Sequence, residues 1–347
     1  MEQRECVYVV GAGFSAGLGY PLTSDLLFRF WQRIDNDLKS RLVDVIKFHH
    51  PGFRPERFAS FPNVEQLLSE ILVNEQLFNA SPQSADNFRK ADLQKLQKDL
   101  LLEIAGWFHE ISNKTKPAGT CSAWLRQFGE RVSNENAAII SFNWDLELDR
   151  LLFQGNLDAS SYGFRSDGGS KPVLLKPHGS LNWFEAKQGM FLKNSKRVEI
   201  FRTTGKGDAV YAFLAFRAPI SSKKGRTYTP LIVPPVYLKS FEKPVFETLW
   251  QNCTSVLSTA QRIIFLGYSM PLADLHAQFI MRCGFHNQTE DERTKSRKRK
   301  VAAGMVEVIV VNPDRGAAER IQGVVGPDHN CKWVSAPVAE WIRSGAK

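Results

Sequence analysis

Four consecutive β-formers, Val7 to Val10, run directly into Gly11, Gly13, Gly17 and Gly19 in the stretch VYVVGAGFSAGLGYPLTSD. An apolar run of that length, closed by glycines, predicts a buried strand whose C-terminal end opens into a glycine-rich loop. Glycines there let backbone N–H groups approach a pyrophosphate closely, because no Cβ intervenes. Gly11, Gly13 and Ala16 fit the dinucleotide fingerprint G-x-G-x-x-G/A. Two departures narrow that reading. Gly17, Gly19 and Pro21 predict a loop until about Thr23, where a dehydrogenase starts its helix inside the glycine run. The acidic residue expected about 20 residues on, at the end of a second strand, has no counterpart: Asp35 and Asp37 fall in or beside the helical-looking LLFRFWQRIDNDL. The loop is suited to covering a dinucleotide rather than presenting it for hydride transfer.

Further strands follow at long intervals. Ala137 to Phe142 ends in Asn143-Trp144-Asp145, and Val173 to Lys176 ends in Pro177-His178-Gly179-Ser180. Arg262 to Leu266 breaks at Gly267-Tyr268-Ser269, and Val306 to Val311 breaks at Asn312-Pro313-Asp314. A last strand near Cys331 to Val334 and a helix through Trp341 close the chain. Ligands of open parallel sheets bind at the carboxyl ends of the strands. Polar and small residues gathered at those ends therefore predict one site assembled from remote stretches. The fold class expected is α/β, a Rossmann-like parallel sheet flanked by helices.

Between the first two strands the pattern is helical. Val64, Leu67, Leu68, Ile71 and Leu72 share one face behind an apparent Asn63–Gln66 capping box, and Leu93, Leu96, Leu100, Ile104, Trp107 and Ile111 recur at helical spacing. Both stripes read as core, and Ser81 to Asn87 reads as a turn. The expected organisation is a single domain over 1–347. Its core sheet comes from 1–25, 135–184 and 236–347, with a helical insert over 26–134 and a small irregular subdomain over 185–235.

Composition sets the outer bounds. With 347 residues, 43% hydrophobic and 23% charged, the chain has the balance of a soluble globular protein. No apolar run approaches the roughly 20 residues a membrane span needs, and the N-terminus lacks a signal-peptide pattern. Cys6, Cys121, Cys253, Cys283 and Cys331 are scattered and contain no C-x-x-C pair, so no zinc ribbon or disulfide framework is expected and a reducing cytoplasm is the expected location. The net charge is +9, partly concentrated in Arg293 to Lys300, RTKSRKRK, directly after Glu290, Asp291 and Glu292. That run reads as a solvated surface loop, with a nucleic-acid or protein-docking patch as the alternative. No aromatics interleave with it, so no single-strand stacking platform is suggested.

Taken in order, GAGFSAGLGYP, SFNWDLELD, KPHGSLNW, FLGYSMPLAD and VIVVNPD resemble the motifs of sirtuin-like proteins, most closely the bacterial sirtuin-like NAD hydrolases of anti-phage defence. The resemblance covers most of the chain and is weakest over the helical insert and Glu185 to Leu231. It implies a sirtuin-like fold with NAD as substrate and no metal, since the two C-x-x-C pairs of deacylating sirtuins are missing. Gly11, Ala12, Gly13, Phe14 and Ser15 would wrap the pyrophosphate and adjoining ribose. Asn143 and Asp145 would hold the nicotinamide ribose and its pocket, and His178 would be the catalytic histidine. Gly267, Ser269 and Asn312 would contact the adenosine side. Pro21 is followed by Leu22-Thr23-Ser24-Asp25 instead of the family's Pro-Asp-Phe-Arg, which removes one nicotinamide contact.

The side chains themselves suit that chemistry. Cleavage of a ribose–nicotinamide bond expels a neutral amine and leaves an oxocarbenium-like sugar, which needs oriented dipoles and exclusion of water. Asn143 can fix the ribose or place a water. His178, of ordinary pKa near ~6.5, can take a proton from water or a ribose hydroxyl. Asp145 reads as an orienter or pocket wall. His49, His50, His109, His276 and His286 have no such company, and Asp274 with His276 reads as a helix cap or surface residue. The expected activity is NAD hydrolysis to ADP-ribose and nicotinamide by a gated defence effector. The expected partners are a homo-oligomer and a separate DNA-translocase-type ATPase or Argonaute-type protein. The alternatives are an NAD-dependent protein deacylase and a catalytically silent NAD- or ADP-ribose-binding module.

Overall fold

The computed structural model describes residues 4–77, 89–114, 122–153, 156–166, 171–186, 197–203, 209–214, 230–233, 243–295, 306–327 and 329–345. The turn expected at Ser81–Asn87 and Cys121 lie outside them. So does the basic run from Arg293, apart from the backbone of its first three residues.

The chain opens with β1 (Cys6–Val10), all five residues buried, followed at once by α1 (Ala12–Ala16). This corrects the expected loop up to Thr23. Phe14 is buried edge-on against Trp124 and Phe128, and that anchorage winds one turn of helix out of the glycine run. Gly19, at φ 92, then ends it. Next come α2 (Leu26–Trp31), α3 (Asn36–His49), α4 (Val64–Leu77), α5 (Lys90–Lys114) and α6 (Ala123–Asn134). Asp35 caps α3, its carboxylate accepting from the Leu38 N–H at 2.8 Å. At α4 the reciprocal capping box is not made: Asn63 accepts from the Glu65 N–H, while Gln66 turns to Glu70. The two apolar stripes are core as expected, with Leu67, Leu68, Ile71, Leu93, Leu100 and Ile104 buried.

Strand β2 (Ala138–Ser141) leads to α7 (Glu147–Phe153) and β3 (Val173–Leu175). The segment expected to be irregular contains regular structure among the described residues. Two antiparallel pieces appear: β4 (Gly179–Ser180) with β8 (Leu231–Ile232), and a three-stranded sheet of β5 (Trp183–Ala186), β6 (Arg197–Arg202) and β7 (Ala209–Phe213). The chain returns through α8 (Pro244–Thr259), β9 (Arg262–Leu266), α9 (Leu275–Lys295), β10 (Glu307–Val311), α10 (Arg315–Val325), β11 (Asn330–Val334) and α11 (Val338–Arg343).

The main sheet has six strands in the order β11-β10-β9-β1-β2-β3, and every pair is parallel. This is a Rossmann-like α/β fold. The chain builds outward from β1 to β3, then crosses back and builds the other way from β9. The reversal falls between β1 and β9, where an open α/β sheet forms its ligand crevice. The registers carry the strand ends into line. Gly11 N–H donates to Leu266 O, Phe142 N–H to Val10 O and Gly267 N–H to Val311 O.

At the opposite ends of the central strands, Glu135 accepts from Tyr8 Oη and pairs with Arg262 at 2.8 Å and Arg131 at 3.3 Å. Burial disfavours the ionised carboxyl, but the Tyr8 hydroxyl and the two guanidinium groups outweigh it and hold the pKa below its ordinary value. A depressed carboxyl contributes stability that is present above the unfolded pKa and lost as the pH falls through the folded one. Glu135→Gln is therefore expected to lower the thermal midpoint at neutral pH. The gap to wild type should shrink on acidification below about pH 4, as read by calorimetry at both pH values.

Candidate active site

The loops after β1 and β9 touch backbone to backbone. Gly13 N–H donates to Gly267 O at 2.8 Å. A Cβ on Gly13 would lie 2.8 Å from Gly267 Cα, and one on Gly267 would lie 2.5 Å from the Gly13 carbonyl carbon. Gly267 also has φ 60, a left-handed conformation that glycine adopts without strain. The glycines thus let two strand-end loops close on each other, and the crevice opens beside that contact.

A cleft lies there, lined by residues from four of the five expected strand ends, all but that of Asn312. Gly11, Ala12 and Ser15 form one wall, Phe142, Asn143, Trp144 and Asp145 another, and His178, Tyr268, Ser269, Pro271 and Asp274 a third. The helical insert closes it with Leu26, Val64, Glu65 and Phe108, together with Tyr20, Pro21 and Thr23 of the preceding loop. Gly13, Phe14, Gly267 and Asn312 are not among the described lining residues. Gly13 and Gly267 are spent on each other, Phe14 is in the core, and Asn312 donates from Nδ2 to Tyr268 O at 3.1 Å, steadying the wall from behind.

Asn143 follows the end of β2 and is fixed on two sides. Its Nδ2 donates to Gly11 O and to Ser15 Oγ, both at 2.9 Å. Ser15 in turn donates to Asp145 Oδ2 at 2.6 Å, and Asp145 Oδ1 accepts from the Glu147 N–H at 3.1 Å. Because the amide nitrogen is committed to the protein, the Asn143 carbonyl oxygen is held in one orientation. Asp145 thus holds Ser15 on one oxygen and the Glu147 N–H on the other.

His178 is buried at the turn after β3. Its Nε2 lies 2.8 Å from Asp274 Oδ2. Asp274 is wholly buried, and its other oxygen accepts from the Ala277 N–H at the start of α9. The cap expected of Asp274 is there; the surface position is not. The pairing escaped the sequence because 96 positions separate the two residues, and capping explained the aspartate without it. Phe142 meets the His178 ring edge-on at 5.0 Å between centroids and stacks on Tyr268 at 4.5 Å, and Trp250 is tilted against both His178 and Phe142.

Beneath the cleft lies a buried ion pair. Lys176 Nζ donates to Asp149 Oδ2 at 2.9 Å, to Ser180 Oγ at 2.7 Å and to Asp145 O at 2.7 Å. Tyr162 donates to the other Asp149 oxygen. The ammonium thus ties the Asn143–Asp145 turn to the loop that carries His178. Among the described residues, no group of three or more His, Cys, Asp or Glu is placed to hold a metal ion. Of the histidines set aside, His49 faces Asn74 and His50 pairs with Glu70, away from the cleft.

No family model matches the sequence, and no curated protein matches it. Solved structures do. The chain is similar to one described as the structural basis for the mechanism and regulation of Sir2 enzymes, at 14% identity over 98% of this chain and 90% of that one, with a TM-score of 0.43. It is similar to an ADP-ribose complex of a Sir2 homologue variant, at 15% identity over 98% and 89%, TM-score 0.43. A Sir2 complex with a p53 peptide and NAD+ matches at 14% identity over 99% and 92%, TM-score 0.39.

Two stability outcomes follow from this geometry. Lys176→Met strands the buried Asp149 carboxylate and is expected to cost about 3–5 kcal/mol in denaturant unfolding. Asp145 behaves oppositely. Burial, then the neighbouring Glu147, push its pKa up against the opposing pull of Lys176 and Ser15. A raised carboxyl gives stability that is present below the unfolded pKa and lost as the pH rises through the folded one. Asp145→Asn is therefore expected to raise the thermal midpoint at neutral pH, with no difference from wild type below about pH 4.

Proposed function

We propose that this protein hydrolyses NAD to ADP-ribose and nicotinamide. The observation that carries the reading is the buried His178–Asp274 pair facing the same cleft as an Asn143 locked by Gly11 and Ser15. The cleft sits at the sheet's switch point, where a dinucleotide would be expected. The order of the strand-end motifs, which resembles sirtuin-like proteins, supports the same ligand.

The reaction follows from the geometry. Nicotinamide leaves as a neutral amine, so the demand falls on the sugar cation. The fixed Asn143 carbonyl and the cleft's carboxylates favour that positive charge in a site of low dielectric. His178 accepts the proton of a water or a ribose hydroxyl as the new C–O bond forms. Asp274, whose Oδ2 lies 2.8 Å from Nε2, stabilises the imidazolium that results and leaves the other ring nitrogen to act as the base. Bound rings of Phe142, Trp250 and Tyr268 keep bulk water from the imidazole.

The wider role follows the same resemblance. An NADase held active in a cell would exhaust its host, so we place this activity in a gated effector of bacterial anti-phage defence, in the cytoplasm. The pocket would be completed by self-association or by a separate ATPase or Argonaute-type partner, with Arg293–Lys300 available for docking. Protein deacylation is the competing activity of the same site.

One assay separates them. The purified chain is incubated with NAD, with and without an acetyl-lysine peptide, and products are resolved by chromatography. ADP-ribose without peptide is expected; O-acetyl-ADP-ribose only with peptide would establish the deacylase instead, and unchanged NAD a silent module or an inactive resting state awaiting its partner. His178→Ala and Asn143→Ala are expected to abolish turnover with the fold retained. Asp274→Asn should lower kcat by on the order of 10²–10⁴-fold with little change in KM. Full activity in either alanine variant would remove the site.

A further inference from the structure

The cleft contains a polar group that neither the fold nor the proposed chemistry uses. Tyr268, on the loop after β9, is 4% exposed and lines the cleft, yet its Oη has no hydrogen-bond partner among the described residues. Its ring is held flat against Phe142, with 14° between the planes, so the hydroxyl has a fixed direction. Its surroundings are acidic: burial, then the carboxylates of Asp274 and Glu65, hold the phenol far above its ordinary pKa. It is therefore a donor at any physiological pH. A buried hydroxyl without a partner costs on the order of 1–3 kcal/mol, and the cleft that Tyr268 borders is where an acceptor can enter.

The character of that acceptor follows from the charges around it. Glu65, Asp145 and Asp274 line the cleft, and no lysine or arginine does so among the described lining residues. An anionic group would be repelled at the end that Glu65 and Asp274 share. A sugar hydroxyl fits on both counts: its oxygen accepts from the phenol while its own hydrogen can go to a neighbouring carboxylate. Asp274 also holds His178, which places that hydroxyl next to the general base.

We infer that Tyr268 is a substrate-binding residue whose hydroxyl donates to a hydroxyl of the ribose bearing the scissile bond, in a carboxylate-walled end of the cleft that excludes anionic groups. This rests on the NAD reading above. In the same arrangement the pyrophosphate lies away from Glu65 and Asp274, so the substrate enters with its cationic ring end first.

The test compares wild type and Tyr268→Phe, which keeps the ring on Phe142 and removes only the oxygen. Kd, by calorimetry, and kcat/KM are measured with NAD and with the analogues lacking the 2′- or the 3′-hydroxyl of the nicotinamide ribose. In the unliganded state the variant should be at least as stable as wild type, because it loses an unsatisfied polar group. With NAD, kcat/KM is expected to fall about 10-fold. With the analogue lacking the bonded hydroxyl, wild type and variant should be equal. Unchanged behaviour toward NAD, or an equal loss with NAD and both analogues, would overturn the assignment. A wild-type chain that binds no NAD would overturn the nucleotide reading and this inference with it.

Discussion

The structure depends on one close approach, that of Gly13 to Gly267. Two strand ends from opposite halves of the sheet meet main chain to main chain, where a single added carbon would collide with backbone. That contact sets the separation of the β1 and β9 loops at the switch point of the sheet. The cleft walls follow from it. Gly11 presents its carbonyl to Asn143, and Tyr268, the residue after Gly267, is carried to the cleft. Glycine is usually read at such a loop as room for a phosphate; here two of them make room for each other.

The polar interior is built around this frame in two tiers. The lower one, Lys176 with Asp149, Ser180 and the Asp145 carbonyl, is a buried charge pair with its hydrogen bonds filled. It joins two loops that belong to different strands. The upper one is the chain of Asn143, Ser15 and Asp145 on one wall and His178 with Asp274 on the other. Each carboxylate in it serves twice, once on backbone and once on a side chain. In a poorly solvated site, such doubled use keeps an acidic group ordered and aimed.

Much of the fold was legible from pattern alone. Continuous apolar runs at Val7–Val10, Ile139–Ile140, Ile263–Leu266 and Val308–Val311 can only be strands covered on both faces, and parallel order follows from the long connections between them. The stripes of α4 and α5 announced their core faces for the same reason of periodicity. Three features escaped. The glycine run gave no sign of α1, because the helix is stabilised by Phe14 packing on residues over a hundred positions away. The segment after Glu185 showed short β runs such as VYAFLAF, but not how they pair into a small antiparallel sheet. Glu65 carries no local signal, yet it is buried and lines the cleft.

Local sequence determined which stretches become strands, where they stop, and that Gly11, Asn143 and His178 stand at such stops. Those facts depend on neighbours within a few positions, through backbone freedom and the alternation of apolar side chains. Tertiary structure alone decided that Asp274 faces His178, that the hydroxyl of cleft-lining Tyr268 has no partner among the described residues, and that an inserted helical layer closes the cleft. These depend on crossing angles and on which loops share space at the switch point. A carboxylate capping a helix reads the same in a sequence whether its second oxygen meets water or a histidine; only packing removes the water.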